Sequence, residues 1–122
     1  MEKKLEKYAD CPRCPIRNVL DRIGDKWSML VISVLGEVEK MRFSEIQKVI
    51  PDISQKMLTV TLKTLEADGL VSRKVFAEVP PKVEYKITER GKTLLPHINN
   101  LTVWAAENMT AIKKSRVKFE RK

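Results

Sequence analysis

The chain of 122 residues has the length of one domain, and its 43% hydrophobic and 33% charged residues are typical of a globular protein rather than a disordered one. Its longest apolar run, "MLVISVLG", is too short to cross a bilayer, and the N-terminal "MEKKLEKYAD" has no apolar stretch that would make a secretory signal. We therefore expect a cytoplasmic protein with no membrane partner. The net charge of +8 favours anionic partners such as nucleic acid, but most of it comes from the last ten residues, which hold six basic and one acidic side chain.

Capping signals and apolar periodicity predict helices in the first part of the chain. Pro15 is well placed as the first residue of a helix over "IRNVLDRIG". Asp25 is expected to cap the next helix, "KWSMLVISVL", which Gly36 would end in the left-handed conformation. Because this second helix is apolar almost all round, it should form the buried centre of the domain.

Two short helices are predicted next, joined by a turn of a few residues. Ser44 with Gln47 fits a capping box for the first of them, and Pro51 closes it. Ser54 is expected to cap the second. The buried stripe of that second helix is expected at helical spacing, on Leu58, Leu62 and Leu65. Two short helices linked in this way form a helix-turn-helix pattern.

After Gly69 the period of the apolar pattern changes from about four to two. The stretches "LVSRKVF" and "KVEYKIT" alternate apolar and polar side chains, which predicts two strands. The connector "AEVPPK" makes a hairpin the simplest arrangement, with Pro80 and Pro81 at its tip, where their missing N–H groups do no harm.

A long final helix is predicted after Thr88, which can cap it. Its apolar residues recur over several turns, at Leu94, Ile98, Leu101, Ala105, Met109 and Ile112. Pro96 lies inside the helix and should kink it or break it. Since this stripe is longer than one small domain needs, we expect it to pair with a second copy in a homodimer; the alternative is that it only covers the core of its own domain.

The order of these elements predicts a mainly α fold with a small β-hairpin (α+β), a winged helix-turn-helix that fills residues 1–122 as a single domain. The helix that Ser54 caps would enter the major groove of double-stranded DNA, because an element of that width fits there. Gln55 can pair with adenine, and Lys56 can reach guanine or phosphate. Thr59 can donate to a base or touch a thymine methyl group, and Lys63 is placed to meet phosphate.

Contacts with the DNA backbone or minor groove are expected from the hairpin, through Arg73, Lys74 and Lys82. Arg42 and Ser44, at the start of the preceding helix, could hold a phosphate. The alternative for all these side chains is an ordinary solvated surface.

The sequence resembles the HxlR-type transcription regulators over residues 14–104. The stretches that carry the resemblance are "CPIRNVLDRIGDKWSMLVISVL", "RFSEIQKVIPDISQKMLTVTLKTLEADGLVSRKVFAEVPPKVEYKITERGKTL" and the late Trp104. The resemblance implies a winged-helix homodimer, built from the N-terminal segment and the last helix, that binds promoter DNA. We therefore expect a sequence-specific regulator on a dyad operator with half-sites about one helical turn apart.

Cys11 and Cys14 form a Cys-x-x-Cys pair ahead of the first predicted helix, and three interpretations of the pair stay open. A thiol oxidoreductase would require a βαβ setting, which is not predicted here. A zinc site requires about four ligands, and beside His97 only the thiols of two chains together could supply them. The third interpretation is a thiol switch: Cys14 stands at a helix start, where the helix dipole, with Arg13 and Arg17 nearby, favours thiolate.

The resemblance adds that Cys14 occupies the position of the family's characteristic cysteine, which implies sensing of an oxidant or electrophile in several members. Because no cysteine follows Cys14, a disulfide is restricted to Cys11–Cys14 or to equivalent cysteines of two chains. The alternative is a pair of reduced, inert thiols.

The enzyme class is not favoured. With one histidine and four glycines, the chain shows no Ser-His-Asp set, phosphate-binding glycine loop or acidic metal triad, and we expect no cofactor and no metal. Two other binding functions remain as alternatives to a promoter-specific regulator. One is a winged helix that holds a protein through the same face, and the other is an unspecific DNA binder with a steep salt dependence.

Overall fold

The computed structural model describes residues 3–9 and 14–121. The elements in chain order are α1 (Lys3–Glu6), α2 (Pro15–Ile23), α3 (Lys26–Gly36), α4 (Phe43–Val49), α5 (Gln55–Ala67), β1 (Val71–Phe76), β2 (Lys82–Ile87) and α6 (Glu89–Glu120). β1 and β2 form one antiparallel hairpin, in register from Val71 opposite Ile87 to Phe76 opposite Lys82. The predicted mainly helical fold with a two-stranded wing is confirmed.

The core lies around α3, as its nearly continuous apolar sequence predicts. Val31, Ile32 and Leu35 are fully buried there. The predicted stripe of α5 is buried as well, on Leu58, Leu62 and Leu65. Each of these leucine side chains removed from water stabilises the fold by about 1.5–3 kcal/mol. This packing fixes which face of α5 points away from the domain.

Three predicted helix caps are confirmed. In each, a side-chain oxygen accepts a hydrogen bond from the backbone N–H three residues later. The pairs are Asp25 with Ser28 at 2.9 Å, Ser54 with Met57 at 3.0 Å and Thr88 with Gly91 at 3.1 Å.

The predicted capping box on Ser44 and Gln47 is wrong. Arg42 has the extended backbone of an N-cap, and Ser44 already lies in the first turn of α4. The Glu45 carboxylate accepts from the Arg42 backbone N–H at 2.9 Å. The box therefore begins at Arg42, two residues earlier than predicted. Only the bond to the Glu45 carboxylate forms, because the Arg42 guanidinium has no acceptor for the backbone N–H of Glu45.

The predicted left-handed end of α3 at Gly36 is also wrong. Gly36 is still helical, and across the described ranges only Gly69 has a positive φ, of 74°. A Cβ atom at position 36 would lie 2.8 Å from the Leu95 side chain. The glycine therefore allows α6 to approach α3 closely.

Pro96 does not break the last helix, which continues from Glu89 to Glu120. A proline inside a helix costs about 3 kcal/mol through the lost hydrogen bond and the ring clash. Ile98, two residues further on, is buried in the core, so the helix is held against the domain on the C-terminal side of the proline. The burial of Ile98 offsets the free-energy cost of the proline.

Candidate nucleic-acid interface

The outward face of α5 carries the side chains predicted to contact DNA. At about 100° per residue, Gln55, Lys56, Thr59 and Lys63 fall within an arc about 100° wide, which we call the α5 face. Gln55, Lys56 and Lys63 are exposed and Thr59 is half-buried. The buried residues of α5, at Leu58, Thr61, Leu62 and Leu65, occupy a separate arc centred about 120° away. The structure thus brings the four predicted side chains together.

Two hydroxyl groups of this region already make hydrogen bonds within α5. Ser54 Oγ accepts from the N–H of Met57, so its own proton is free to donate to a phosphate. Thr59 Oγ1 donates to the backbone oxygen of Gln55 at 2.9 Å. In this rotamer Thr59 has no hydroxyl proton left to donate to a bound base, which leaves its methyl group for such a contact.

A groove separates α5 from the hairpin, with a cavity of about 300 Å³. Thr59, Lys63 and Glu66 line it from α5, and Arg73 with its cross-strand partner Tyr85 lines it from the wing. Arg73 is therefore grouped with the α5 face. Glu66 adds a negative charge to the inner end of the groove that was not among the predicted contacts.

The two hairpin lysines predicted to contact DNA, Lys74 and Lys82, lie on the face of the hairpin opposite Arg73, because side chains alternate along a strand and Lys74 is next to Arg73. The Nζ atoms of Lys74 and Lys82 each lie 4.9 Å from the centre of the Phe76 ring. Lys82 Nζ also lies 3.3 Å from Glu84 Oε2. The three basic residues predicted on the wing thus do not form one cluster.

Glu84 has a second ion-pair partner, Lys40, at 3.5 Å. Burial raises the pKa of Glu84, but its hydrogen bond with Lys82 and the charges of Lys40 and Lys82 outweigh this, so that the pKa is lowered from its ordinary value. The carboxylate stays charged near neutral pH and reduces the positive charge that Lys82 can offer to DNA. Lys40, outside the predicted set, belongs to this cluster.

The start of α4 places Arg42 and Ser44 at the surface. The Glu45 carboxylate occupies the N-terminal turn of this seven-residue helix by accepting from the Arg42 N–H. A phosphate at this point would therefore be held by the Arg42 guanidinium and the Ser44 hydroxyl rather than by the free N–H groups of the helix.

The C-terminal end of α5 is closed by a Schellman motif around Gly69. The N–H of Gly69 donates to the oxygen of Glu66 at 3.0 Å, and the N–H of Leu70 donates to the oxygen of Leu65 at 2.9 Å. The positive φ of Gly69 is what this motif requires and what glycine adopts without strain. The chain leaves this turn directly into β1, so the motif sets the position of the wing relative to α5.

Cys14 is the N-cap residue of α2 and is buried, with 3% of its surface exposed. A cavity of about 670 Å³ between α1 and α2 reaches it, lined among others by Lys3, Lys7 and Tyr8. The Arg17 guanidinium donates to the backbone oxygens of Tyr8 at 2.8 Å and Ala9 at 3.0 Å. These bonds tie α2 to the turn after α1, whose Tyr8 lines the same cavity as Cys14.

The predicted partner thiol, Cys11, and the predicted neighbour, Arg13, lie outside the described residues. His97 is exposed on α6. In residues 3–9 and 14–121, no group of three or more His, Cys, Asp or Glu side chains is arranged to hold a metal ion.

The apolar stripe of α6 packs against the core near its start and is exposed further along the helix. Ile98 is buried and Leu94 is half-buried against the domain core, whereas Leu101 and Ala105 are exposed. Other large apolar side chains are exposed along the same helix and on α1 and α2, namely Val103, Trp104, Val117, Phe119, Leu5, Ile16, Val19 and Leu20. Within the portion of the chain that the structure covers, no helix is both long and apolar enough to span a membrane.

These elements define a winged helix-turn-helix of the DNA-binding class. They are the short helix α4, the capped helix α5 with its one packed face, and the basic hairpin of β1 and β2. A family model described as HxlR-like helix-turn-helix matches residues 22–113. The chain belongs to this family and is a transcription regulator of the HxlR type. The family resemblance noted from the sequence is thereby confirmed.

Individual relatives agree with this assignment. The HTH-type transcriptional regulator YybR of Bacillus subtilis is 40% identical over 116 residues, which cover 95% of this chain and 92% of that protein. The reduced form of the redox regulator HypR superposes with a TM-score of 0.76 at 41% identity, covering 82% of this chain and 98% of that one. The reduced form of the transcriptional regulator YodB of B. subtilis has a TM-score of 0.65 at 41% identity, covering 75% and 90%.

Proposed function

We propose that this chain regulates defined promoters by binding a dyad operator as a homodimer in the cytoplasm, without a catalytic step. The observation that carries the proposal is the α5 face, which is held outward because Leu58, Leu62 and Leu65 anchor α5 in the core, with the helix capped at Ser54. A helix of this kind reads bases in the major groove with its N-terminal residues, and Gln55 and Lys56 are the first two residues of α5.

The contacts divide into base readout and backbone positioning. Gln55 reads adenine through its amide, Lys56 reaches guanine or phosphate, and Thr59 presents its methyl group to thymine. The backbone contacts come from the remaining predicted side chains, namely Arg42, Ser44, Ser54, Lys63, Arg73, Lys74 and Lys82. Among these, Arg73 and Lys63 act together because they line one groove.

The homodimer is supported by the apolar side chains that α6 leaves exposed beyond its contact with the core, Leu101 and Trp104 among them. Exposed apolar residues on α1 and α2, such as Leu5 and Ile16, extend this surface. To bind a dyad operator, a two-fold pair built on these helices has to set the two α5 helices about 34 Å apart, as successive major grooves require.

Cys14 is the proposed sensing residue. Access to the 3% exposed sulfur is through the cavity that α1 and α2 line, and a group added to the sulfur there would push α1 away from α2. Oxidation to a disulfide removes two electrons and two protons from two thiols and requires the same movement, whether the second thiol is Cys11 or the partner's Cys14. If α1 and α2 belong to the dimer seam, this shift changes the distance between the two α5 helices. The likeness to a protein titled redox regulator supports the proposal.

The test is a fluorescence-anisotropy titration of the reduced protein against duplexes from upstream of its own and neighbouring genes, with an unrelated duplex as the reference. The titration is repeated after treatment with a thiol oxidant, on the natural chain and on Cys14→Ser. The proposal predicts tight, selective binding that the oxidant changes in the natural chain and leaves unchanged in Cys14→Ser.

Two results contradict separate parts of the proposal. Equal affinity for all duplexes, with a steep dependence on salt, would replace the promoter-specific regulator by an unspecific DNA binder. Selective binding whose response to oxidant persists in Cys14→Ser would remove the role of Cys14 and leave the regulator standing.

A further inference from the structure

A separate cavity of about 480 Å³ lies between α2, the end of α5 and the first turns of α6. Its volume falls within the range of about 300–1,000 Å³ that small-molecule sites occupy. Part of its wall is apolar, formed by Val19, Ile23, Leu70 and Leu94. Such a wall suits the hydrocarbon part of a ligand.

The polar part of the wall centres on Asp68, with a guanidinium group on either side. Arg22 Nε donates to both carboxylate oxygens of Asp68, at 2.7 and 2.9 Å. Arg90 Nη1 donates to the backbone oxygen of the same residue at 3.2 Å. The described hydrogen bonds of Arg22 use Nε alone, so its two terminal amino groups are available as a donor fork.

The charges of this wall do not balance. Two guanidinium groups and the imidazole of His97 face one carboxylate, which leaves one guanidinium charge without a carboxylate within the wall. The hydrogen bond and the charge of Asp68 raise the pKa of Arg22 further, with a smaller contribution from Asp21, so this charge is permanent. A ligand with one negative charge would complete the balance, whereas a cation would be repelled.

We propose that this cavity binds a small organic monocarboxylate, with its carboxylate on Arg22 and Arg90 and its apolar body against Val19 and Leu94. The planar guanidinium fork matches a carboxylate in two parallel hydrogen bonds. A phosphate monoester carries close to two negative charges at neutral pH and would leave an excess next to Asp68. The neutral amide of the same shape lacks the charge that the wall requires.

The position of the cavity connects the ligand to DNA binding. Asp68 is the C-cap of α5 and Leu70 directly precedes β1. A carboxylate that shares Arg22 with Asp68 therefore acts on the junction of α5 and the wing. This consequence rests on the proposed function. By linkage, the carboxylate and the operator must change each other's affinity by the same factor. Binding of the carboxylate itself does not depend on DNA.

The test is a titration of the ¹⁵N-labelled full chain, without DNA, followed by NMR. The probes are benzoate, phenylacetate and octanoate, with benzamide as the neutral control and phenyl phosphate as the dianion. We expect at least one carboxylate to shift the amides of Asn18, Leu70 and Thr93 saturably, and both controls to bind at least about tenfold more weakly.

Two variants and a matched control identify the groups responsible. Arg22→Gln and Arg90→Gln should each weaken carboxylate binding at least about tenfold, because each removes a charged donor. Lys92→Gln removes a charge from the same helix outside the cavity and should leave binding unchanged. Arg90 contacts Asp68 only at its backbone oxygen, so Arg90→Gln keeps the test valid if Arg22→Gln does not fold.

The proposal is overturned if none of the three carboxylates shifts the lining amides at millimolar concentration, or if benzamide binds as well as benzoate. It is equally overturned if both arginine variants bind like the natural chain. Because the readout contains no DNA, a failure of the operator-binding proposal would leave these results unaffected.

Discussion

The Thr88 hydroxyl donates to the backbone oxygen of Gly69 at 2.6 Å while it accepts from the N–H of Gly91 at 3.1 Å. One side chain thus caps α6 and holds the turn that ends α5. α5 and α6, the helix that carries the exposed apolar stripe, are joined through this hydroxyl, so a displacement of α6 has a short path to the proposed DNA-binding surface.

Thr88→Val should lower the free energy of unfolding by about 1–2 kcal/mol, because it removes a helix cap and a second hydrogen bond without changing the shape of the side chain. Thr102→Val is the matched control: Thr102 is exposed and donates only to the Ile98 oxygen of its own helix, so its loss should be within about 0.5 kcal/mol. Urea unfolding of the three proteins measures both values. Equal decreases in the free energy of unfolding of the two variants would show that the Thr88 bond to Gly69 adds no measurable stability.

Asp25 makes stability depend on pH. Burial raises the pKa of Asp25, but hydrogen bonds from the Ser28 N–H and hydroxyl outweigh it and lower the pKa from its ordinary value of 3.8. Because the folded pKa is the lower one, this stabilisation is present above pH 3.8 and is lost as the pH falls through the folded pKa. Asp25→Ala should therefore cost about 1 kcal/mol at neutral pH and progressively less in acid. A deficit that stays constant between neutral pH and about pH 3 would contradict this account of the cap.

The two faces of the hairpin should contribute differently to DNA binding. Arg73→Ala should weaken binding to all duplexes and reduce the slope of log K against log salt by about 1, as loss of one phosphate contact does. Lys82→Ala should change the slope less, because Glu84 already neutralises part of its charge. Lys48→Ala, an exposed lysine at the end of α4 outside the predicted contacts, is the control. Anisotropy titrations over a range of salt concentrations measure the slopes, and a larger effect for Lys82 than for Arg73 would reverse the assignment.

The rate at which a thiol reagent reaches Cys14 should depend on Arg17. Arg17→Ala removes the hydrogen bonds to the Tyr8 and Ala9 oxygens, which frees the turn that borders the cavity of Cys14, and labelling of Cys14 should become several-fold faster. The measurement uses a Cys11→Ser background so that one thiol is followed. Arg116→Ala, at the far end of α6, should label at the original rate. No acceleration in Arg17→Ala would mean that α1 does not control access to Cys14.

Local rules predicted most of the fold, because caps and apolar periods are written in adjacent residues. Asp25, Ser54 and Thr88 could be identified in this way, as could the buried leucines of α5. The error at Gly36 arose where packing between distant elements decides the structure. Gly36 is small because Leu95 approaches it, and no residue near Gly36 in the sequence indicates that contact.

The candidate site was predictable on α5 and less so on the wing. Helical spacing alone groups Gln55, Lys56, Thr59 and Lys63 on one face. The basic residues of the hairpin are close together in sequence, but strand alternation and Glu84 separate Arg73 from the two lysines, which a charge count does not show. The cavity of Arg22, Asp68 and Arg90 was not predicted, because its parts come from three elements far apart in the chain.

The most direct test of the account is the base preference of Gln55. Once an operator has been found, every position of one half-site is varied, and the affinities of the natural chain and of Gln55→Ala are measured by anisotropy for each variant. We expect Gln55→Ala to lose about 1–3 kcal/mol of discrimination at one adenine position and to keep its preferences elsewhere. An unchanged preference at every position would contradict the claim that the α5 face reads the bases.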